Sequence, residues 1–209
     1  MHAIFRGVSV IPVLTIDRER DAVPLARALF ESGLPVIEVT MRTAAAGAAV
    51  AAIRRELAQV VVGAGTLLRA ADVATAVQAG AGFLVSPGLT PELAAAALAA
   101  ELPYLPGVAT PSEVMAARAL GICVMKFFPA EALGGAAWLR ALAPVFPGVA
   151  FCPTGGIDET RAAEYLTLAN VPMVGGSWMV PRDAVAAGDW RRIRRLAERA
   201  AAIGRREAG

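Results

Sequence analysis

The chain has 209 residues, 56% of them hydrophobic, with a formal net charge of +2. That length suits a single-domain (β/α) barrel, and so balanced a charge gives no sign of a nucleic-acid partner. No uncharged apolar run reaches the roughly 18 residues a bilayer span needs, and MHAIFRGVSVIPVL at the start lacks a convincing signal-cleavage pattern, so a cytoplasmic protein without membrane contact is expected.

Short β-branched runs then alternate with Ala-rich stretches of helical spacing. VSVIPVLTI (8–16) is the first strand candidate, followed by the helical RDAVPLARALFESG; VIEVT (36–40) is the second, followed by AAGAAVAAIRRELAQ. VVVGAGT (60–66), GFLVSP (82–87), PYLPGV (103–108), ICVMKFF (122–128), VAFCPTGG (149–156) and PMVGGSWM (172–179) complete eight. Thr90, Thr110 and Asp158 stand where helix N-caps belong, with Pro91 and Pro111 at the first helical turn. A C-terminal helix is expected at about 189–206, where Arg191, Arg192, Arg194, Arg195 and Arg199 alternate with Ile193, Leu196 and Ala197 and read as a solvated face. Strands apolar on both faces, each separated by one helix, predict a parallel sheet covered all round. Eight such units favour an α/β single-domain (β/α)8 TIM barrel over residues 1–209. A Rossmann-like sheet is the weaker reading, because neither Gly63-Ala64-Gly65 nor Gly80-Ala81-Gly82 completes GxGxxG.

Cys123 and Cys152 lie in apolar runs without CxxC spacing and are expected to be buried thiols. The sole histidine is His2, which sets aside Ser-His-Asp catalysis and most histidine-based metal sites. Chemistry then falls to carboxylates, hydroxyls, arginines, backbone amides and Lys126, the only lysine beside nineteen arginines. In a barrel the site gathers at the C-terminal strand ends. Lys126 shares a strand face with Val124 and Phe128; desolvation there disfavours the ammonium, and a neutral amine attacks carbonyls where a guanidinium cannot. The bland alternative is a structural lysine paired with a carboxylate such as Glu38. Glu38, between Ile37 and Val39, is a candidate for proton transfer, and Arg42 for gripping a substrate carboxylate; a structural Glu38–Arg42 pair is the competing reading. Thr154-Gly155-Gly156 and Gly175-Gly176-Ser177 stand at the last two strand ends, where barrels commonly bind phosphate, unless these glycines serve only tight turns.

In this order, IEVTMRT, VGAGT, SPG, KFFPAE, CPTGGI and GGSW resemble the 2-keto-3-deoxy-6-phosphogluconate (KDPG) aldolases, some of which also act on 4-hydroxy-2-oxoglutarate. The likeness runs from about Val10 to the C-terminal helix. It implies a cytoplasmic, homotrimeric, metal- and cofactor-independent class I aldolase of carbohydrate metabolism, of the Entner-Doudoroff type, acting on a phosphorylated 2-keto acid. By that resemblance Lys126 forms the Schiff base with pyruvate and Glu38 is the general acid/base. Arg42 and Thr66 hold the pyruvyl carboxylate, Pro87 and Phe128 shape the pocket, Thr154 lines it, and Gly155, Gly156 and Ser177 receive the phosphate. The chain departs from the family in having only about seven residues before its first strand, where a further helix usually stands. An aldolase for the epimeric 2-keto-3-deoxy-6-phosphogalactonate and a noncatalytic phosphosugar-binding barrel remain the alternatives.

Overall fold

The computed structural model describes residues 3–203. Its strands are β1 (Val10–Leu14), β2 (Val36–Thr40), β3 (Val61–Gly65), β4 (Leu84–Val85), β5 (Tyr104–Leu105), β6 (Gly107–Val108), β7 (Val124–Phe127), β8 (Ala150–Pro153) and β9 (Val174–Gly176). All paired strands are parallel, in the orders β5-β4-β3-β2-β1-β9 and β6-β7-β8. The run expected as one strand at 103–108 is two, β5 and β6, broken at Pro106. Proline has no N–H for the ladder, although the Pro106 carbonyl still accepts from Lys126 N at 2.9 Å. A single bridge between Thr154 and Gly175 links β8 to β9.

The helices are α1 (Ala22–Glu31), α2 (Ala46–Glu56), α3 (Ala70–Gln78), α4 (Pro91–Ala99), α5 (Pro111–Ala119), α6 (Gly135–Leu142), α7 (Glu159–Tyr165), α8 (Arg182–Ala187) and α9 (Trp190–Ile203). The three expected N-caps form: Thr90 accepts from Leu93 N, Thr110 from Glu113 N and Asp158 from Arg161 N. The helix expected at about 189–206 is α9; residues 204–206, like His2, lie outside the described residues.

Strand alternation sorts side chains into two cores. Ile37, Val39, Met125 and Phe127 face the helices in the larger one, whereas Val36, Val124, Cys152 and Met173 face inward with Phe83 and Leu105. The period of two therefore turns Glu38 and Lys126 inward as well, one step above Val36 and Val124. Beneath them the floor is shut by Phe5, delivered by a single 3₁₀ turn at Ala3–Phe5 and packed edge-on against Phe83 with ring centroids 5.3 Å apart. Cys152 is buried, but Cys123 is exposed, contrary to expectation. It belongs to the approach to β7, outside the strand proper, which begins at Val124.

Candidate active site

Lys126 Nζ donates to Glu38 Oε1 at 3.2 Å, and both residues are nearly sealed, 6% and 4% exposed. The ion pair that a structural reading anticipates is therefore present, and it joins β7 to β2 across the inner face. Two further features describe its surroundings. Among the described residues Glu38 is the one hydrogen-bond partner of an ammonium that has three donors. The carboxylate also occupies space left by Gly65, where an added methyl would overlap it. A glycine on β3 at this level is the condition for Glu38 to turn inward, a signal readable in VGAGT only once the strands are aligned. The Phe128 ring lies 5.4 Å from Nζ, within cation–π range.

Arg42 does not pair with Glu38. Its Nε donates to Thr66 Oγ1 at 3.2 Å, which brings together the two residues expected at a substrate carboxylate. Thr66 holds φ +61°, left-handed backbone that a β-branched residue rarely adopts. Such a conformation costs about 1–3 kcal/mol and tends to persist where geometry serves a site. Arg42 and Ser177, both exposed, line one cleft of about 510 Å³ with Thr15, Arg18 and Arg182; Lys126 and Glu38 do not line it.

Thr154 is buried, and its hydroxyl points at the inner face of Gly175, so closely that a side chain there would overlap it. Gly155 and Gly156 follow with φ +105° and +76°, a turn of left-handed residues that leaves backbone amides uncovered. Pro87 is half-buried, its carbonyl set against Gly107, where an added methyl would overlap it. Other polar strand-end residues serve the scaffold: Thr40 donates to Leu14 O at 2.9 Å, and Ser86 donates to Gly88 O at 2.6 Å. Behind the glycine turn stands a carboxylate the sequence reading passed over, Glu131, bound to Tyr165 and Arg161. Its partners are 34 and 30 residues away, so no local spacing announces them. No group of three or more His, Cys, Asp and Glu side chains able to hold a metal is found among the described residues.

The family profile described as KDPG and KHG aldolase matches residues 1–196. Over 191 residues, 91% of either chain, the sequence is 49% identical to the 2-dehydro-3-deoxy-phosphogluconate aldolase of Treponema pallidum. The crystal structure of the KDPG aldolase from Legionella pneumophila, with pyruvate captured as a covalent carbinolamine intermediate, superposes with a TM-score of 0.91 at 45% identity, over 94% of this chain and 95% of that one. The Zymomonas mobilis enzyme with 3-phosphoglycerate gives 0.90 at 46% identity, over 96% and 94%. With sequence and fold agreeing along almost its whole length, this chain belongs to the KDPG and KHG aldolase family.

Proposed function

We propose that this protein is a metal-independent class I aldolase that cleaves KDPG to pyruvate and glyceraldehyde 3-phosphate through a Schiff base on Lys126, and that it also accepts 4-hydroxy-2-oxoglutarate. The observation that carries the reading is the buried Lys126–Glu38 pair at 3.2 Å. Proton transfer to Glu38 frees the amine, which attacks the C2 carbonyl carbon, and a proton passing from the nitrogen to the new alkoxide gives the carbinolamine. Glu38 returns the proton to the departing hydroxyl as the carbinolamine loses water to give an iminium. A base removes the C4 hydroxyl proton, the C3–C4 bond breaks, and its electrons flow into the iminium as an enamine while the aldehyde leaves. Protonation at C3 and hydrolysis then release pyruvate. One carboxylate within hydrogen-bond reach of Nζ can serve these successive transfers, because each leaves it in the state the next requires.

Arg42 and Thr66 hold the C1 carboxylate, with Phe128 and Pro87 walling the pocket. Thr154 lines the path to Gly155, Gly156 and Ser177, which receive the phosphate. In the same proposal β8 and β9 complete a closed (β/α)8 barrel, supported by the Thr154–Gly175 bridge. A homotrimeric assembly, a cytoplasmic location and an Entner-Doudoroff role follow from the family resemblance. No described helix is long and apolar enough to cross a membrane.

The test is incubation with pyruvate and borohydride followed by peptide mass analysis. A reduced pyruvyl adduct is expected on Lys126, the only lysine in the chain; folded protein that gains no mass there overturns the mechanism.

A further inference from the structure

Glu131 follows the lysine strand by a few residues, and no step above uses it. Its carboxylate is divided between two partners on α7: Oε1 accepts the Tyr165 hydroxyl at 2.6 Å, and Oε2 lies 2.6 Å from Arg161 Nε. Arg161 is held in turn by the N-cap residue Asp158, which accepts from Arg161 N at 2.9 Å and from Nη1 at 3.0 Å. Burial first, and then the bond to Glu131, push the Tyr165 phenol up, so it stays a donor throughout the working pH range.

The other side of Glu131 faces the glycine turn. Its N–H donates to Gly155 O at 3.2 Å, and the N–H of Ala130 donates to Thr154 O at 2.9 Å. Its Cβ and Cγ fill the space beside Gly156, where an added methyl would approach both to 2.9 Å. One side chain therefore ties the loop leaving β7, the 154–156 turn and α7 into a single unit. Glu131 and Arg161 are partly exposed, 30% and 48% in their side chains, so screening keeps the direct energy of the pair small. Its consequence is geometric, with the guanidinium also offsetting a negative charge beside a turn that is to receive an anion.

We propose that Glu131, locked by Arg161 and Tyr165, is a positioning residue that holds the Thr154–Gly156 turn in its anion-receiving shape and so sets the preference for phosphorylated over unphosphorylated 2-keto acids. This rests on the aldolase reading and adds to it a determinant outside the substrate contacts. Glu131→Gln keeps the size and the Tyr165 bond but loses the guanidinium pair. It is expected to raise KM for KDPG about tenfold and to weaken 3-phosphoglycerate binding, measured by calorimetry, by the same factor. Both kcat and KM for 4-hydroxy-2-oxoglutarate should stay within about twofold of the wild type. Arg161→Lys, which can still pair with Glu131, should recover most of the phosphate preference that Arg161→Gln loses. Tyr165→Phe removes one bond and no charge; it should show the same split at about threefold, and it decides the matter if Glu131→Gln does not fold.

Equal losses on both substrates with unchanged 3-phosphoglycerate affinity would reduce Glu131 to a structural role and overturn the proposal, as would wild-type behaviour on all three ligands. Borohydride trapping of pyruvate by the wild type is read separately. Protein that binds 3-phosphoglycerate but traps no pyruvate refutes the aldolase reaction, while the calorimetric comparison still decides the role of Glu131.

Discussion

Below Lys126 the inner face of the sheet holds Phe5, Phe83, Val124 and Met173; level with Lys126 and above it, the same strands present Glu38, Thr40, Lys126 and Thr154. The two storeys share strands and alternation: β2 reads Val36, Glu38, Thr40 inward, and β7 carries Val124 and then Lys126. They differ in how space is used. The floor is filled by buried aromatic and branched side chains, which stabilises. The upper storey is thinned by Gly65, so that a carboxylate and an amine fit where packing alone would place a methyl group. Keeping two desolvated charges is costly, and close packing below and around them offsets that cost.

The largest way to break the contrast is to change the amine. Lys126→Arg keeps the charge and a donor toward Glu38 but has no nucleophile, so folded protein with no detectable turnover is expected; circular dichroism and a KDPG cleavage assay check both halves. Glu38→Gln should follow, slowing kcat by about 10²–10⁴-fold while pyruvate binding changes less, and an unaltered kcat removes Glu38 from proton transfer. Overfilling the upper storey comes next. Gly65→Ala forces Glu38 aside, which should lower kcat by about 10²-fold and stability by about 1–3 kcal/mol, read from turnover and urea unfolding.

Emptying the floor should do the reverse. Phe5→Ala is expected to cost about 3–5 kcal/mol of stability, yet the folded fraction should turn over at nearly the wild-type rate. A kcat loss as large as that of Gly65→Ala would show that the two storeys are not separable.

What could be read in advance follows the range of the interaction that creates it. Strand alternation and caps depend on neighbours a few residues apart, and VIEVT or the Thr110-Pro111 start of α5 stands where its pattern places it. Pro106 was visible too, but its power to split a strand depended on its place in the ladder. Lys126 drew notice by composition, whereas its bond to Glu38 spans 88 residues and only folding establishes it. The floor plug and the Glu131 cluster lay out of reach for the same reason. Nothing local marks Phe5 until folding sets it edge-on against Phe83, 78 residues away. The apolar run ICVMKFF suggested a buried thiol at Cys123, but that residue lies just before the strand and faces solvent.

The smallest effect concerns a residue on the boundary between the storeys. Cys152 pairs in register with Lys126, yet its side chain packs with the floor. Burial, the largest influence, pushes its thiol from 9.0 up to about 12; the Lys126 charge pulls it back in part, and Glu38 raises it again. The folded state thus keeps this proton after the unfolded chain has lost it. Whatever stability Cys152 contributes is present below pH 9.0 and is lost as pH climbs toward about 12. Around neutrality the thiolate is scarce and covered, so this nucleophile stays inert one strand away from Lys126. Iodoacetamide near pH 8 should therefore label the exposed Cys123 in native protein and reach Cys152 only after unfolding, as peptide mass analysis will show. Cys152→Ala should leave turnover within about twofold. Rapid native labelling of Cys152 would mean that the floor opens to solvent, and the separation between a packed base and a reactive upper layer would fail at the residue where they meet.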